Sequence, residues 1–297
     1  MRNRSLKTVA FAIALLASSF TALFAADIKI TKEEAKQIAK EAYVYGFPMV
    51  VNYKTMVAYT LDRNSPEFKG DFNELACEAR VYTPDDKAIV TPNSDTPYCM
   101  GWVDIRKGPI VISLPEMEPE RFYHFQLIDL YTHNYAYLGT LTTGNKAGKY
   151  LIANQSWKGK KPKGIDDVIR CETNIFFVIV RTQLMNKGDL EKVKQIQGEY
   201  HMQPLSAYIG KGTPKAALKN DFPKWNEGDQ FTSASFKYLD VMLSLLEPVS
   251  EEKALMERFA RLGIGTDKGF DINRFDEETQ KAIEQGVKDG FKAMESF

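Results

Sequence analysis

Residues 121–130 read RFYHFQLIDL and residues 175–182 read IFFVIVRT. Both runs are rich in aromatic and β-branched residues, a composition that is typical of β-strands. A period of two gives the first run one face made of Tyr123, Phe125, Leu127 and Asp129. The opposite face carries Phe122, His124, Gln126, Ile128 and Leu130. Whichever face is buried, the strand takes a polar group into the interior with it.

Further short runs of the same kind lie between Ala76 and Thr182. They cover residues 79–83, 88–91, 99–105, 110–114, 135–141 and 149–153. Pro, Gly and Asn separate them at the spacing expected of a β-sandwich or barrel. Parallel crossovers need a dozen or more residues, usually helical, and no helix-length pattern interrupts these runs. The sequence therefore predicts antiparallel pairing throughout this block.

Helical patterns flank the β block on both sides. Thr31 and Glu34 form a capping box at the start of residues 31–61, and Gly46 with Pro48 is expected to break or kink that stretch at Phe47, giving a helix pair. After Thr182, the 3.6-residue period returns over residues 189–196, 236–246, 251–262 and 276–294. A helix pair, then strands, then a C-terminal helical region indicate the α+β class.

The first residues have the pattern of a secretory signal. Arg2, Arg4 and Lys7 precede an apolar stretch, and Ala25 offers a small-residue cleavage point. We therefore expect a signal peptide over residues 1–25, a periplasmic or secreted protein, and no membrane span after its removal; an uncleaved anchor is the alternative. The predicted domains of the mature chain are residues 26–184, with the N-terminal helices and the β block, and residues 185–297, with the C-terminal helices.

Composition and motifs exclude several function classes. Lys and Arg number 39 and Asp and Glu number 39, so no net positive charge favours nucleic-acid binding. Phosphate-loop, dinucleotide-binding, nucleophile-elbow and HExxH motifs are absent, and the histidines lack zinc-site spacing, so we expect neither cofactor nor metal. Cys77, Cys99 and Cys171 permit at most one intrachain disulfide.

Three groups of residues are candidates for a site. Asp129, if buried with its apolar face, needs a partner, and Arg181 or Arg80 could supply one; an ion pair that only joins two strand ends is the alternative. The loop TPNSDTPY carries Asn93 and Asp95 between two prolines, either as a simple Asx-type turn or as a rigid loop facing a cleft. A third polar cluster follows residue 130, and its hydroxyl and amide groups could orient a small ligand.

The chain also resembles a known family. EAYVYGFPMV, TPNSDTPYCMGWVDI and RFYHFQLIDLYTHNYAYLGTLTTGNKAGKYLI occur in the order seen in the bacterial family called domain of unknown function 1254. The resemblance implies an immunoglobulin-like β-sandwich flanked by helical segments, in exported proteins with no assigned reaction. Longer relatives continue into a second β domain, domain of unknown function 1214, whereas this sequence stops at Phe297.

The resemblance can be carried over residue by residue. Asn93 and Asp95 fall in the family's PNxDT-like loop. Its FQ-x-x-D-x-YT stretch matches Gln126, Asp129, Tyr131 and Thr132, and the arginine of its RT strand end matches Arg181. The family more often has an amide in place of His133 and lacks a histidine at His124, which further disfavours a metal. No catalytic assignment comes with the resemblance.

These observations support two functions of different classes. The first is a polar small-molecule site at one end of the sandwich. It could be an enzyme site, but the sequence indicates no reaction. Its residues are Asn93, Asp95, Gln126, Asp129, Tyr131, Thr132 and Arg181. The second is a noncatalytic envelope module that contacts a protein partner or a second copy of itself. A hydrolase using Cys77 or Cys99 is a weaker third interpretation, because no base is spaced beside either residue.

Overall fold

The computed structural model describes residues 30–86, 95–212, 222–246 and 249–296. The predicted signal segment, the predicted strand at residues 88–91 and the candidate Asn93 lie outside these ranges. The α-helices are α1 (Lys32–Met56), α2 (Leu190–Gly198), α3 (Leu205–Tyr208), α4 (Phe236–Ser244), α5 (Lys253–Ala260) and α6 (Glu277–Glu295). The strands are β1 (Ala76–Glu78), β2 (Tyr98–Asp104), β3 (Ile110–Leu114), β4 (Tyr123–Ile128), β5 (Asn134–Gly139), β6 (Gly148–Asn154), β7 (Asp167–Cys171), β8 (Ile175–Thr182) and β9 (His201–Pro204). This is the α+β class that the sequence predicts.

Helix α1 begins at the predicted capping box and continues further than expected. Thr31 accepts a hydrogen bond from the backbone N–H of Glu34, and a π-helical turn at Val57–Leu61 follows α1 directly. The break expected at Phe47 is wrong, because α1 runs through Pro48 without interruption. Buried residues on both sides of the proline, among them Tyr43 and Tyr53, belong to one cluster, and this packing outweighs the hydrogen bond that proline removes.

A five-stranded sheet has the order β1-β2-β8-β4-β5, and each of its neighbouring pairs is antiparallel. Burial alternates along β4, with Tyr123, Phe125 and Leu127 buried and the residues between them half-buried. The two faces that the sequence predicts for this strand are confirmed.

A four-stranded sheet has the order β7-β6-β3-β9. Its β6 and β7 run parallel, so the prediction of antiparallel pairing throughout is wrong here. Residues 155–166 form the connection without a described helix, and they are long enough to return the chain to the same end of the sheet. The sequence patterns missed β7 and β9, and the first strand lies at Ala76–Glu78 rather than at residues 79–83.

The two sheets and the helices form successive layers. Phe125 and Val178 from the first sheet share a buried cluster with Ile112 and Ile152 from the second. The other face of the first sheet packs through Trp102 and Phe177 against residues of α1, α4, α5 and α6. The helical layer therefore joins the first helix of the chain to the last ones. The division at residue 184 stays a prediction, and β9 places one strand of the second sheet beyond it.

Helices α1 and α6 approach each other closely at a glycine. A Cβ atom added at Gly286 of α6 would lie 2.2 Å from the carbonyl oxygen of Lys36 in α1. Gly286 thus lets the two backbones touch. Among the described residues, no helix is both long enough and apolar enough to cross a bilayer.

Candidate functional site

The sequence-predicted site residues fall at two ends of the first sheet. Gln126 and Arg181 are hydrogen-bonded on β4 and β8. The backbone carbonyl of Asp95 accepts from the N–H of Leu184, just beyond β8, so Asp95 lies at the end of the sheet that carries Arg181. Asp129 lies beyond the opposite end of β4 with Tyr131 and Thr132.

The expected ion pair between Asp129 and Arg181 is wrong. Arg181 is directly opposite His124 in the register of β8 and β4, and Asp129 is five positions further along the chain. At about 3.3 Å per residue this places them roughly 16 Å apart. Arg181 also shares its strand face with Phe177, whose face packs on the helices, whereas Asp129 follows the phase of the other face. Neither the register nor the facing layer can be read from one strand alone.

Arg181 instead lies in a cluster with Tyr98, His124 and Gln126, which we call the Arg181 cluster. Its Nη1 atom donates to Gln126 Oε1 at 2.6 Å and lies 3.0 Å from His124 Nε2. The guanidinium carbon lies 5.2 Å from the centre of the Tyr98 ring, a cation–π distance. Gln126 Nε2 donates to Asn134 Oδ1 at 2.7 Å, which directs its carbonyl oxygen toward Arg181.

His124 is a neutral acceptor in this cluster. Arginine has only donors, so the nearby Nε2 of His124 must accept and the proton of the neutral ring resides on Nδ1. Burial, with a smaller contribution from the guanidinium of Arg181, lowers the pKa of His124 to about 4. At neutral pH, Arg181 is therefore the only charged member of the cluster.

Arg181 differs from most other described arginines in lacking a carboxylate partner. Arg63, Arg80, Arg106, Arg121, Arg258 and Arg261 each form an ion pair with Asp or Glu. Arg80, the alternative partner considered for Asp129, binds Asp86 through both terminal nitrogens. Within the described part of the chain, the contacts of Arg181 are with neutral groups.

Strand register places two rows of side chains around the guanidinium. Across β2, β8, β4 and β5, one row is Tyr98, Arg181, His124 and Gly139. Glu78 of β1 continues this row beyond Tyr98, and its carboxylate is paired with Lys69 and Arg80. The adjacent row is Met100, Ile179, Gln126 and Tyr137. Directly opposed residues of antiparallel strands share a face, so these positions form one patch. Three strand spacings by one two-residue step give it an area of roughly 14 Å by 7 Å.

Asp129 organises a tight turn at the other end of β4. Its carboxylate accepts from the backbone N–H of His133 at 2.8 Å, and its side chain is almost fully buried. Burial raises its pKa, and the hydrogen bond from His133 opposes that effect in part. Asn52 of α1 donates to the carbonyl oxygen of Asp129 at 3.1 Å. Asp129 therefore caps the turn that follows β4 and makes no contact with Arg181.

Thr132 and Tyr131 line the surface beside this turn. Thr132 has φ 72°, a left-handed conformation that strains a β-branched residue. It borders a groove of about 340 Å³ together with Phe47, Pro48, Val51, Asn52 and Thr55. The Tyr131 hydroxyl donates to Glu252 Oε2 at 3.5 Å, which ties the turn to the helical layer.

The cysteines remove one of the weaker interpretations. Cys77 and Cys99 are opposite residues of β1 and β2 and form a disulfide, so neither is a free thiol nucleophile in this state. Cys171 is free and buried, and burial raises the pKa of its thiol. Over the described ranges, no group of three or more His, Cys, Asp or Glu side chains could hold a metal ion.

The sequence reasoning missed two members of the cluster, Tyr98 and His124. The period of two placed His124 on the same face of β4 as Gln126, but His124 was not selected as a site residue. Tyr98 follows the loop that contains Asp95, but pairing it with Arg181 requires the β2–β8 register.

A known family model matches the part of the chain that contains the β-strands. Residues 72–204 match the family model described as Protein of unknown function (DUF1254). The matched range contains all the strands from β1 to β9. The predicted resemblance is confirmed over this range. No curated protein matches the chain.

A solved structure from Vibrio has a similar fold. The VPA0106 protein from Vibrio parahaemolyticus is 23% identical and superposes with a TM-score of 0.69 over 88% of this chain. The chain spans 59% of the length of that protein. An uncharacterised protein from Burkholderia cenocepacia is 11% identical and has a TM-score of 0.32. The alignment covers 86% of this chain and 55% of the Burkholderia chain. The Vibrio structure supports the architecture, and its description assigns no activity.

Proposed function

We propose that this protein binds a small molecule with an anionic or carbonyl group at the Arg181 cluster. The observation that carries the proposal is the half-buried guanidinium of Arg181, which contacts only neutral groups among the described residues. Placing a charge on a partly buried surface without a counter-ion costs free energy, and an anionic or strongly polar ligand would lower that cost.

The layering of the fold supports a site at this position. Phe177 and Trp102, further along the same face of the sheet, are buried by the helical layer. Arg181, His124 and Gln126 remain partly exposed, so a ligand could reach them. The sheet backbone holds each of these side chains at a fixed register position, which limits the entropy that would be lost on binding.

The proposal is one of binding rather than of a reaction. His124 is neutral, and its Nε2 is engaged by Arg181. Around the cluster, the described residues offer no serine or cysteine beside a base of the kind that nucleophilic catalysis needs. Asp129, with its raised pKa, lies at the other end of β4, where its carboxylate accepts a hydrogen bond from the backbone N–H of His133.

Architecture and location complete the proposal. The two sheets with their shared core would form an immunoglobulin-like sandwich, with the helical segments packed on its outer side. Removal of residues 1–25 would release the chain into the periplasm or the medium. The Cys77–Cys99 disulfide supports an oxidising compartment, because such bonds are rare in the cytosol.

Retention of cellular small molecules tests the binding function. The chain would be purified from its secreted or periplasmic fraction under native conditions, denatured, and its released small molecules analysed by mass spectrometry. We expect acidic or carbonyl compounds from the wild type and their loss from Arg181→Gln. Arg63→Gln removes an exposed, ion-paired arginine and serves as the control. Equal retention by all three proteins, or retention by none, would refute the proposal.

A further inference from the structure

We infer that the lysine-rich loop between β6 and β7 binds an anionic bilayer surface. The loop covers residues 155–166 and reads QSWKGKKPKGID. It lies on the second sheet, whereas the Arg181 cluster lies on the helical side of the first sheet. The inference is therefore independent of the proposed small-molecule site.

Four exposed lysines stand within six residues of this loop. They are Lys158, Lys160, Lys161 and Lys163. Consecutive lysines of the run are one or two residues apart, so their Cα atoms are separated by no more than about 7 Å. This separation is within the screening length of about 8 Å at physiological ionic strength. The positive potentials of the four side chains therefore reinforce each other.

Neighbouring carboxylates do not neutralise these lysines. Among the described residues none of the four forms an ion pair, and Lys161 Nζ donates to the backbone carbonyl of Asp166 at 3.0 Å. The acidic residues of the loop and of β7 are Asp166 and Asp167, and the carboxylate of Asp166 accepts from the backbone N–H of Lys149 at 2.7 Å. Arg170 of β7 adds a further cation. Because the sequence has equal numbers of basic and acidic side chains, this excess makes the charge distribution uneven and would orient the molecule toward an anionic surface.

The loop is held against the outer face of the second sheet. Ile165 is buried in a cluster with Val111 and Leu151, whose neighbours in β3 and β6 point into the sandwich. Arg170 Nη1 donates to the backbone carbonyl of Trp157 at 2.8 Å. These contacts fix the backbone on both sides of the lysine run. The lysines are thus presented on the face of the molecule opposite the layer of α1, α4, α5 and α6.

A bilayer surface fits this charge pattern better than a nucleic acid does. The run contains no arginine, and the ammonium groups of lysine are point charges that suit a diffuse layer of headgroups rather than bidentate recognition of bases. Single strands stack on free aromatic rings, but the rings beside the run are already covered by cations. The guanidinium carbon of Arg170 lies 5.1 Å from the centre of the Trp157 ring, and Lys149 Nζ lies 5.4 Å from that of Tyr208. On an anionic bilayer, each lysine near the surface strengthens binding about fivefold.

Vesicle flotation with defined lipids tests the inference. The full chain would be mixed with vesicles of phosphatidylcholine, or of equal parts phosphatidylcholine and phosphatidylglycerol, at low and at high salt. We expect binding to the anionic vesicles only, and loss of that binding at high salt, because screening weakens charge attraction at a surface. An uncleaved apolar N-terminal segment would bind both kinds of vesicle alike, so the comparison reports the charge-dependent contact.

Matched substitutions assign the contact to the loop. The variant K158Q/K160Q/K161Q/K163Q should weaken binding to anionic vesicles by at least about 100-fold, whereas K158R/K160R/K161R/K163R keeps the charge and should keep the binding. The control K253Q/K268Q/K281Q/K288Q changes four exposed lysines of the helical region, alters the net charge equally and should leave binding unchanged. Circular dichroism of each variant checks that it is folded.

Several results would overturn the inference. They include no binding of the wild type to anionic vesicles, equal binding to both kinds of vesicle, and equal weakening in the two glutamine variants. Dextran sulfate that strips the wild type from anionic vesicles at equal charge concentration would assign the lysines to a soluble polyanion instead. Self-association of the loop glutamine variant, with no binding of the wild type to vesicles, would show that the lysines only protect the edge strand β7.

Discussion

Arg181 and His124 face each other across β8 and β4, with Nη1 of the arginine 3.0 Å from Nε2 of the histidine. The contact is favourable only while the imidazole is neutral, because an imidazolium has no lone pair to offer and would repel the guanidinium. Burial and this neighbour together lower the pKa of His124 from 6.5 to about 4. Protonation of His124 is thus coupled to the folding of the sheet.

The first prediction concerns the pH dependence of stability. Between pH 6.5 and about 4, the unfolded chain binds a proton at His124 that the folded chain does not, so the free energy of unfolding should fall as the pH falls. The full effect should be well below about 3 kcal/mol, because His124 is only partly buried and solvent screens part of its interaction. His124→Gln keeps an acceptor for Arg181 and removes the titration. Urea unfolding at pH 7 and pH 4.5 should show a smaller loss in this variant, and equal losses in both proteins would contradict the assignment.

A second prediction concerns the buried Arg121, which ties the start of β4 to α2. Its two terminal nitrogens donate to the two carboxylate oxygens of Asp189 at 2.6 and 2.8 Å, and its side chain is 2% exposed. Arg121→Met leaves Asp189 without its partner and should lower the free energy of unfolding by about 3–5 kcal/mol. Arg63→Met removes an exposed pair and should cost less than about 1 kcal/mol. Chemical denaturation measures the free energy of unfolding of both variants. Similar losses in the two would show that the buried pair stabilises the fold no more than the exposed pair does.

The strand faces were predictable because hydrophobic alternation depends only on local sequence. Tyr123, Phe125 and Leu127 repeat at a period of two and are all buried. The capping box at Thr31 was predictable for the same reason, since its partner lies three residues away. Such local signals correctly gave the α+β class and the strands around the candidate site.

The relation between strands could not be predicted in this way. Arg181 lies beside His124 rather than Asp129 because the antiparallel register of β4 and β8 pairs those two positions. That register involves strands far apart in sequence, so no local pattern fixes it. β7 was missed because its residues are only partly buried at a sheet edge, so its alternation is weak. The helix prediction failed at Pro48 because proline removes a helix hydrogen bond, which is a local cost. The tertiary packing that outweighs this cost cannot be read from the sequence.

A third prediction tests the contact between the first and last helices. A methyl group at Gly286 would overlap the carbonyl of Lys36, so Gly286→Ala should lower the free energy of unfolding by about 2 kcal/mol or more. Gly198, at the end of α2, has open space where a methyl group would lie, and Gly198→Ala should change stability by between zero and a gain of ~1 kcal/mol. Thermal unfolding of both variants is the measurement. A harmless Gly286→Ala would mean that α1 and α6 do not pack this closely.

A fourth prediction concerns the disulfide. Cys77 and Cys99 are 22 residues apart, so their bond restricts the unfolded chain and should contribute about 3 kcal/mol to stability. Replacing both by alanine should lower the free energy of unfolding by that amount, and adding reductant to the wild type should have a similar effect. Cys171→Ala leaves the bond intact and serves as the control for loss of a buried sulfur.

Thiol counting checks the same bond independently of stability. Alkylation of the denatured wild type without reductant should label only Cys171, since the other two sulfurs are joined. The folded wild type should resist labelling, because the Cys171 thiol is buried and its raised pKa keeps it protonated at neutral pH. Prior reduction should expose all three cysteines of the denatured chain to the reagent. Labelling of three thiols without reductant, in protein recovered from the exported fraction, would contradict both the bond and the oxidising compartment that it supports.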